Sequence, residues 1–318
     1  MTNRPTSLDN FIGQNDLVSN LRVTVNAAKK RKGVIDHILL YGVAGVGKTS
    51  ISQLVAHEMG VNMLSVNAAA LSTVQDLLGT IMQAKQGDIV FIDEIHRLSS
   101  KVAETLYLSM EDSIVDVTFG DLFPATYRIP LPSFTVVGAT TLLARVADPL
   151  RARFGNVYQI RYYKTPDLAK ILGSESVKMG YDITPEALEV VAARGRGTPR
   201  TALKLLRRAV DYGSVMETTI TGKVASDALN ALKIDGKGLT EQDREYLTVL
   251  FERANGGPRG VDAIASMMNE ERDTIESVVE PWLLHLGMIE RTTAGRVLSL
   301  PAYNHMNWEV KLTPQEGY

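Results

Sequence analysis

Short apolar runs alternate with amphipathic stretches over the first half of the chain. Apolar runs lie at 37–41, 62–66, 88–92, 134–138 and 157–161. Amphipathic stretches with helical spacing lie at 16–28, 50–59, 72–84 and 100–112. Strands that alternate with helices in this way form a parallel sheet with helices on both faces. The pattern therefore predicts an α/β domain over residues 1–162.

The pattern becomes helical after residue 162. Thr-Pro pairs occur at 165–166, 184–185 and 198–199. Threonine is a good N-cap and proline fits the first turn, so each pair is expected to begin a helix. We therefore predict a small all-helical lid domain over residues 163–236.

Three helices and a hairpin are predicted over residues 237–318. The helices cover about 240–254, 261–268 and 272–286, and two strand-like runs flank a glycine-containing turn within 288–300. This order is typical of a winged helix-turn-helix domain. The polar tail after residue 305 is expected to fray.

Composition narrows the classes of function. The chain has 318 residues, no cysteine and a formal net charge of −2. Cysteine-based chemistry is thereby excluded, and any nucleic-acid binding must come from a local basic face. No apolar run approaches the roughly 18 residues of a membrane span, and the N-terminus carries no apolar signal region. We therefore expect a soluble, cytoplasmic protein with no membrane partner.

A glycine-rich motif follows the first apolar run. Residues 42–49 read GVAGVGKT and match the phosphate-loop pattern at every required position. Its glycines, Gly45 and Gly47 among them, let backbone N–H groups face a phosphate at a helix N-terminus. Lys48 is expected to reach the β- and γ-phosphates of ATP, and Thr49 to hold Mg²⁺. A plain glycine turn is the alternative, but the flanking strand and helix favour a nucleotide site.

Polar residues also end the third and fourth apolar runs. Asp93 is predicted to hold the Mg²⁺ shell, and Glu94 to polarise the water that attacks the γ-phosphate. Thr140 is predicted to contact the γ-phosphate or that water. A solvated sheet edge would also explain the acids, and threonine is common in strands for structural reasons alone. The upstream phosphate loop favours hydrolysis.

Two arginines are candidates for contacts with the triphosphate. The first is one of Arg151 and Arg153, which lie on a short amphipathic turn; it is predicted to be an arginine finger that acts on the nucleotide of a neighbouring subunit. A solvated face is the alternative for this residue. Arg200 lies in the first turn of a predicted lid helix, where the helix dipole disfavours a cation, so its position indicates a contact with the nucleotide.

The order of these motifs resembles the AAA+ ATPases, and more closely the RuvB family of Holliday-junction branch-migration motors. Matching stretches cover nearly the whole chain, including FIDEIHRL at 91–98, GATT at 138–141, GTPR at 197–200 and EERDTIE at 270–276. The resemblance implies a hexameric, ATP-hydrolysing ring that moves duplex DNA at four-way junctions in recombination and repair. It also implies that Arg153 is the finger presented to the neighbouring subunit's nucleotide. The nucleotide would be lined by Arg4, Gly45, Gly47, Lys48, Thr49, Ser50, Glu111, Asp112, Ser113, Tyr163 and Arg200.

The same resemblance assigns two further surfaces. Residues 115–129 correspond to a hairpin that docks on the junction-recognising partner RuvA; its apolar residues are Val117, Phe119, Leu122, Phe123 and Tyr127. Double-stranded DNA is expected to contact Arg272, Arg291 and Arg296. Two departures indicate a divergent member: Val43 and Ala44 replace two prolines, and Thr293 and Ala294 replace a proline and an arginine in the wing turn. The missing charge should reduce the salt slope of DNA binding by about one.

Two other functions are compatible with the sequence. A loader that places a clamp or a helicase on DNA shares the phosphate loop and the arginine finger, but the winged domain favours the motor. A transcriptional regulator with an ATPase module would also use a winged domain. No separate sensory domain is evident in the sequence, which makes this third function less favoured.

Overall fold

A computed structural model of the chain describes residues 7–119 and 125–309. Within these residues the chain forms two compact units. The first contains residues up to 181 together with 197–204, and the second contains 182–196 together with the residues from 205 onward. The predicted domain boundaries, after residues 162 and 236, stay predictions. No described helix combines the length and apolar character needed to cross a bilayer.

A parallel sheet forms the centre of the first unit. The strands of this unit are β1 (Ile38–Tyr41), β2 (Met63–Asn67), β3 (Ile89–Asp93), β4 (Ile114–Phe119), β5 (Ala125–Pro130), β6 (Thr135–Thr140) and β7 (Asn156–Gln159). Five of them form one sheet in the order β2-β3-β6-β1-β7, and all neighbours in it are parallel. Strands β4 and β5 form a separate antiparallel hairpin. The predicted apolar runs match the strands of the parallel sheet to within two residues.

The first unit also contains α-helices. They are α1 (Asn15–Arg31), α2 (Lys48–Met59), α3 (Val74–Ile81), α4 (Ser100–Asp112), α5 (Asp148–Ala152) and α6 (Thr165–Met179). One buried cluster joins strand residues such as Val90 and Val136 to helix residues such as Leu77 and Leu106. Because each fully buried side chain of this size stabilises the fold by roughly 1.5–3 kcal/mol, the cluster holds the strands and helices in fixed positions.

The carboxyl ends of three strands meet at one edge of the sheet. Tyr41 of β1 pairs with Thr140 of β6, and Ile92 of β3 pairs with Gly138 of β6. The phosphate loop follows β1, and the acidic pair lies at the end of β3. Because ligands of such sheets bind where strands end, this edge is the expected position of a site.

The second unit is mainly helical. Its elements are α7 (Pro185–Arg194), α8 (Pro199–Val215, from residue 205), α9 (Gly222–Ala231), α10 (Glu241–Ala254), α11 (Val261–Met268), α12 (Arg272–Thr274), α13 (Glu280–His285), β8 (Ile289–Thr292), β9 (Gly295–Leu298) and α14 (Leu300–Met306). Two of the three predicted caps form: the hydroxyl of Thr184 accepts the Ala187 N–H, and that of Thr198 accepts the Thr201 N–H. Helix α6 instead begins after Lys164, without a side-chain cap.

The winged domain departs from the prediction in two places. A π-helical segment, Ile275–Val279, separates α12 from α13. Pro281 lacks an N–H and cannot continue the regular ladder, which accounts for an irregular turn there. Helix α14 forms at Leu300–Met306, between the predicted hairpin and the predicted fraying tail, where no element was expected; its residues Ala302 and Tyr303 are buried. The tail beyond residue 309 lies outside the described residues.

Candidate functional site

The phosphate loop is the turn between β1 and α2. Gly42, Gly45 and Gly47 have positive φ angles of 151°, 84° and 103°. A Cβ atom on Gly42 would lie 2.3 Å from the carbonyl oxygen of Ile160, so no side chain fits there. A Cβ atom on Gly45 would lie 2.7 Å from that of Arg200. The loop conformation therefore depends on these glycines, as the motif predicts.

Lys48 lies inside the loop. Its Nζ atom donates to the carbonyl oxygens of Gly42 at 2.7 Å and Val43 at 3.1 Å. Burial lowers the pKa of this amine, whereas the negative charges of Glu94 and Asp93 raise it. The positive charge of Arg200 also lowers the pKa of Lys48. The backbone N–H of Arg200 donates to the Gly45 carbonyl at 3.3 Å. The predicted charged residues of the loop, the strand end and helix α8 thus form one cluster.

The two predicted carboxylates at the end of β3 have different surroundings. Glu94 has a left-handed backbone, with φ 52° and ψ 43°, so the chain turns sharply after the strand. The Oδ1 atom of Asp93 accepts the Glu94 N–H at 3.1 Å. The Oε2 atom of Glu94 accepts the Thr141 hydroxyl at 3.1 Å and lies 3.2 Å from Nδ1 of His96. Such a left-handed backbone away from glycine is a common feature of functional sites.

The geometry favours Thr141 over the predicted Thr140. The side chain of Thr140 is fully buried, and its hydroxyl accepts the Leu142 N–H at 2.9 Å. That hydroxyl also lies 2.8 Å from Nδ1 of His96. Side chains alternate between the two faces of a strand, so adjacent threonines at its end point in different directions. Thr141, rather than Thr140, reaches the carboxylate of Glu94.

A cavity of about 490 Å³ adjoins the phosphate loop. Val46, Gly47 and Ser50 line it beside the loop. The remaining walls include Phe11, Ile12, Tyr163, Ile171 and Leu203. Burial raises the pKa of the Tyr163 hydroxyl. A largely apolar cavity next to a phosphate-binding turn fits a nucleotide base and ribose. Nothing local in the sequence indicates that Phe11 and Ile12 line a cavity.

The donors beside the loop fit Mg²⁺. Thr49 offers a hydroxyl oxygen and Asp93 a carboxylate oxygen, and Mg²⁺ prefers oxygen ligands. No group of three or more His, Asp or Glu residues in the described part of the chain could hold a metal ion by itself. This is the donor set expected where Mg²⁺ binds through one or two protein groups together with substrate phosphates and water.

Arg153 lies apart from the residues that line the cavity. Its guanidinium group contacts both carboxylate oxygens of Glu111, at 2.7 Å and 2.6 Å, and lies 6.0 Å from the ring centre of Tyr107. Asp112 and Ser113 follow Glu111 at the end of α4. The structure therefore groups Arg153 with the stretch 111–113, and none of these residues lines the cavity. We call these four residues the Arg153 group.

Two other predicted sites are described only in part. Arg4 lies outside the described residues. In the hairpin at 115–129, Asp116 and Arg128 pair across the strands at 3.0 Å, and Tyr127 is exposed. The side chains of Val117, Phe119, Leu122 and Phe123 also lie outside the description.

The predicted DNA-binding arginines are engaged within the winged domain. Arg291 and Arg296 pair across β8 and β9. Both contact Glu280, whose side chain is 0% exposed and also accepts the Tyr246 hydroxyl at 3.0 Å. Arg296 contacts Glu276 as well, at 2.9 Å, and is only 14% exposed. The position of Arg296 therefore indicates a structural role in addition to any contact with DNA.

Arg272 and Arg291 remain accessible. Arg272 pairs with Asp262 and Glu276, at 3.3 Å and 3.2 Å, and its side chain is 54% exposed. The side chain of Arg291 is 47% exposed. Neither side chain is deeply buried, so both can turn toward a ligand. These two residues fit the predicted role better than Arg296.

Arg259 is a candidate that the sequence did not reveal. Its backbone exchanges two hydrogen bonds with Arg296, at 2.9 Å and 2.7 Å. Residues paired in this way place their side chains on the same face of a sheet, so Arg259, Arg296 and Arg291 form a row. Arg259 is exposed, and no ion pair involves it among the described residues. In the sequence, Arg259 falls between the predicted helices at 240–254 and 261–268, where no element was expected.

Known proteins match the chain over nearly its full length. Three family models match: "Holliday junction DNA helicase RuvB P-loop domain" at residues 3–160, "RuvB AAA lid domain" at 163–235, and "RuvB C-terminal winged helix domain" at 236–307. The Holliday junction branch migration complex subunit RuvB of Rickettsia africae (strain ESF-5) is 40% identical over 309 residues, which cover 96% of this chain and 90% of that protein.

Solved structures of Thermotoga maritima RuvB are also similar. The RuvB Holliday junction branch migration motor has a TM-score of 0.87 and 36% identity, covering 97% of this chain and 99% of that chain. A mutant of the same protein has a TM-score of 0.89 and 36% identity, covering 97% and 100%. Together with the family models, these matches confirm the predicted fold class: a P-loop domain with a parallel sheet, a helical lid and a C-terminal winged helix.

Proposed function

This chain belongs to the RuvB family of Holliday-junction branch-migration ATPases, and from that premise we infer that it is an ATP-hydrolysing motor for branch migration of four-way DNA junctions. The observation that carries this inference is the cluster of Lys48, Asp93 and Glu94 at one sheet edge, beside a cavity for a nucleotide. The loader and the transcriptional regulator are not favoured, because the similar proteins are branch-migration subunits and motors.

We propose that ATP binds with its base in the cavity and its triphosphate on the phosphate loop. Backbone N–H groups of the loop and the N-terminus of α2 favour negative charge there. Lys48 would exchange its contacts with the Gly42 and Val43 carbonyls for oxygens of the β- and γ-phosphates. Thr49 and Asp93 would hold Mg²⁺, which neutralises charge on the phosphates when it is bound. Arg200 would add a positive charge beside the same groups.

Glu94 is the proposed general base for hydrolysis. Its carboxylate would take a proton from the water that attacks the γ-phosphorus. The bond between that phosphorus and the bridging oxygen breaks, and the products are ADP and inorganic phosphate. Thr141 would keep the carboxylate oriented through the hydrogen bond that its hydroxyl already donates.

The Arg153 group is proposed to act on the nucleotide of a neighbouring subunit in a hexameric ring. The support is its surface position: Arg153 and Glu111 are 38% and 43% exposed, and neither lines this subunit's cavity. A head-to-tail ring places one surface of each subunit against a different surface of the next. Arg153 would then stabilise charge on the γ-phosphate in the transition state, with Glu111, Asp112 and Ser113 at the same interface.

We further propose that the winged domain binds duplex DNA and that the β4–β5 hairpin docks on a RuvA-type protein. The exposed side chains of Arg272 on α12 and Arg291 on the wing support the first assignment. The exposed ring of Tyr127 supports the second, since exposed aromatic residues are frequent at protein interfaces. The proposed location is the cytoplasm, where such a protein would meet chromosomal junctions.

A synthetic four-way junction tests the proposed function directly. The protein is expected to convert the junction into duplex products only with ATP and Mg²⁺, and faster with a RuvA-type protein present. Gel separation of labelled products measures the conversion, and phosphate release measures hydrolysis. Hydrolysis without junction movement would contradict the motor and favour a loader. No hydrolysis at all would contradict the proposed site.

Replacing Arg259 with alanine is expected to weaken DNA binding. The logarithm of the DNA affinity falls linearly with the logarithm of the salt concentration. The slope of this line should become shallower by about one, because one contact with a phosphate is lost. Fluorescence anisotropy with labelled duplex at several salt concentrations measures this slope. The temperature of unfolding should not change, since the Arg259 side chain is exposed.

Arg296→Ala is the matched control for this measurement. It removes a partner of the buried Glu280 carboxylate, so it is expected to lower the free energy of unfolding by about 3 kcal/mol. An unchanged salt slope in Arg259→Ala, measured with a protein that otherwise binds DNA, would remove Arg259 from the DNA-binding surface.

A further inference from the structure

His96 lies against the proposed base but has no part in the mechanism above. Its Nδ1 atom is 3.2 Å from Oε2 of Glu94 and 2.8 Å from the hydroxyl oxygen of Thr140. The side chain is only 9% exposed, so the ring is held in place by its surroundings. A histidine in this position contacts both the base and the strand beside it.

The backbone fixes the position of this ring. Glu94 takes the left-handed conformation, and the residues after it, Ile95–Arg97, form one turn of 3-10 helix. The Arg97 N–H donates to the Glu94 carbonyl at 2.8 Å and closes the turn. Ile95 packs tightly on β6, where a Cβ atom added to Gly138 would lie 2.9 Å from its Cδ1 atom. The ring of His96 is therefore carried by a turn that is docked on the sheet.

The contacts of Nδ1 favour one tautomer of the His96 ring. Burial lowers the pKa of His96, so near pH 7 the ring is neutral and has one N–H group. A bare Nδ1 would point its lone pair at the Glu94 carboxylate, which is repulsive. With the hydrogen on Nδ1, the ring donates to the hydroxyl oxygen of Thr140 at 2.8 Å and presents a positive N–H edge 3.2 Å from Oε2 of Glu94. Both contacts are then favourable.

The two carboxylate oxygens of Glu94 therefore have different surroundings. Oε2 accepts the Thr141 hydroxyl at 3.1 Å and lies 3.2 Å from Nδ1 of His96. Oε1 has no hydrogen-bond partner in the part of the chain that the structure describes. We propose that His96 is a positioning residue: with Thr141 it fixes Oε2, and it thereby leaves Oε1 to accept the proton of the attacking water. This inference rests on the proposed role of Glu94 as the base.

A hydrogen bond together with a second polar contact orients a carboxylate more firmly than the hydrogen bond alone. Thr141 follows β6 and His96 follows β3, so the two contacts reach Oε2 from different elements. With Thr141 alone, the carboxylate can rotate about a single hydrogen bond. A positioned general base contributes about 100- to 10,000-fold to a rate, so loss of its orientation is expected to lower kcat by roughly 10- to 100-fold.

Three substitutions separate positioning from simple packing. The side-chain nitrogen of asparagine is bonded to Cγ, as is Nδ1 of histidine, whereas that of glutamine lies one bond further out. His96→Asn is therefore expected to keep kcat close to that of the unmodified protein. His96→Gln and His96→Ala are expected to lower kcat by roughly 10- to 100-fold. The KM for ATP and the Kd of a fluorescent ADP analogue should not change in any variant.

The decisive comparison is between asparagine and glutamine. Equal losses in His96→Asn and His96→Gln, or a loss expressed in KM instead of kcat, would overturn the inference. A normal rate in His96→Ala would do the same. Nucleotide binding and thermal unfolding show whether each variant is folded. If His96→Ala does not fold, the comparison of His96→Asn with His96→Gln is sufficient to test the inference. In a Glu94→Gln background, His96→Asn and His96→Gln should give equal residual rates, because the base is already lost.

These results are distinct from failure of the proposed function. A protein that binds the ADP analogue but hydrolyses no ATP in its unmodified form would overturn the proposed function, and this inference with it. An unmodified protein that hydrolyses ATP, with both variants equally impaired, would overturn only the role of His96.

Discussion

Glu94→Gln is expected to slow ATP hydrolysis about a thousandfold while nucleotide binding stays nearly unchanged. The amide has the size of the carboxylate, and its oxygen can still accept the Thr141 hydroxyl. It cannot take a proton from water, so the attacking nucleophile is not activated. Steady-state phosphate release measures kcat, and titration with a fluorescent ADP analogue measures binding. A loss confined to kcat would identify Glu94 as the base.

A matched control removes a carboxylate elsewhere. Glu189 lies on α7, is exposed, and takes part in no ion pair among the described residues. Glu189→Gln makes the same chemical change without touching the strand end, and we expect its kcat to be unchanged. Hydrolysis at the normal rate in Glu94→Gln would show that another group activates the water.

Arg153→Ala is expected to reduce hydrolysis by at least about a thousandfold, as removal of an arginine finger does. The variant should still bind nucleotide, because Arg153 does not line the cavity of its own subunit. Lys48→Ala should also be inactive, since its own loop lacks the phosphate-binding amine. Each variant retains what the other lacks if the site is shared between subunits.

Mixing the two inactive variants therefore tests the shared site. In a randomly assembled ring, about a quarter of the interfaces would join an intact loop to an intact Arg153. Phosphate release by the mixture should exceed that of either variant alone. Absence of any rescue, with mixed assembly verified by pull-down of differently tagged subunits, would contradict action in trans.

The neighbouring Arg151 provides the control for the arginine finger. It lies on α5 and pairs with Asp148 at 2.8 Å, with 42% of its side chain exposed. Arg151→Ala removes the same charge two positions away, and we expect it to keep hydrolysis. Equal losses for Arg151→Ala and Arg153→Ala would point to a disturbed surface in place of a specific contact.

Much of the fold was predictable because the relevant patterns are local. The runs at 37–41 and 88–92 coincide with buried strands to within one residue, since continuous apolar runs report burial on both faces of a sheet. The run at 62–66 coincides equally well with β2, an edge strand that is only partly buried. The phosphate loop was equally clear, because its function depends on glycines and a lysine at fixed spacing. Asp93 and Glu94 were placed correctly at a strand end for the same reason.

Other features depend on how strands and turns pack. Which of Thr140 and Thr141 faces Glu94 follows from the pleat at the end of β6, and two adjacent threonines look alike in a sequence. The role inferred for His96 requires the left-handed turn at Glu94 to dock on β6. Arg259 joins the wing only because its backbone pairs with Arg296, which is 37 positions later (296 − 259).

Short-range spacing thus established the fold class, the nucleotide-binding loop and the acidic pair from the amino-acid order alone. The folded structure was needed to decide which charged side chains are available to contact a ligand and which are held in ion pairs. Arg153 contacts Glu111 across 42 positions, and Glu280 gathers Arg291, Arg296 and Tyr246 across 11, 16 and 34. An ion pair forms where two side chains meet in space, and its strength depends on burial and distance. Neither quantity can be read from a position in the chain.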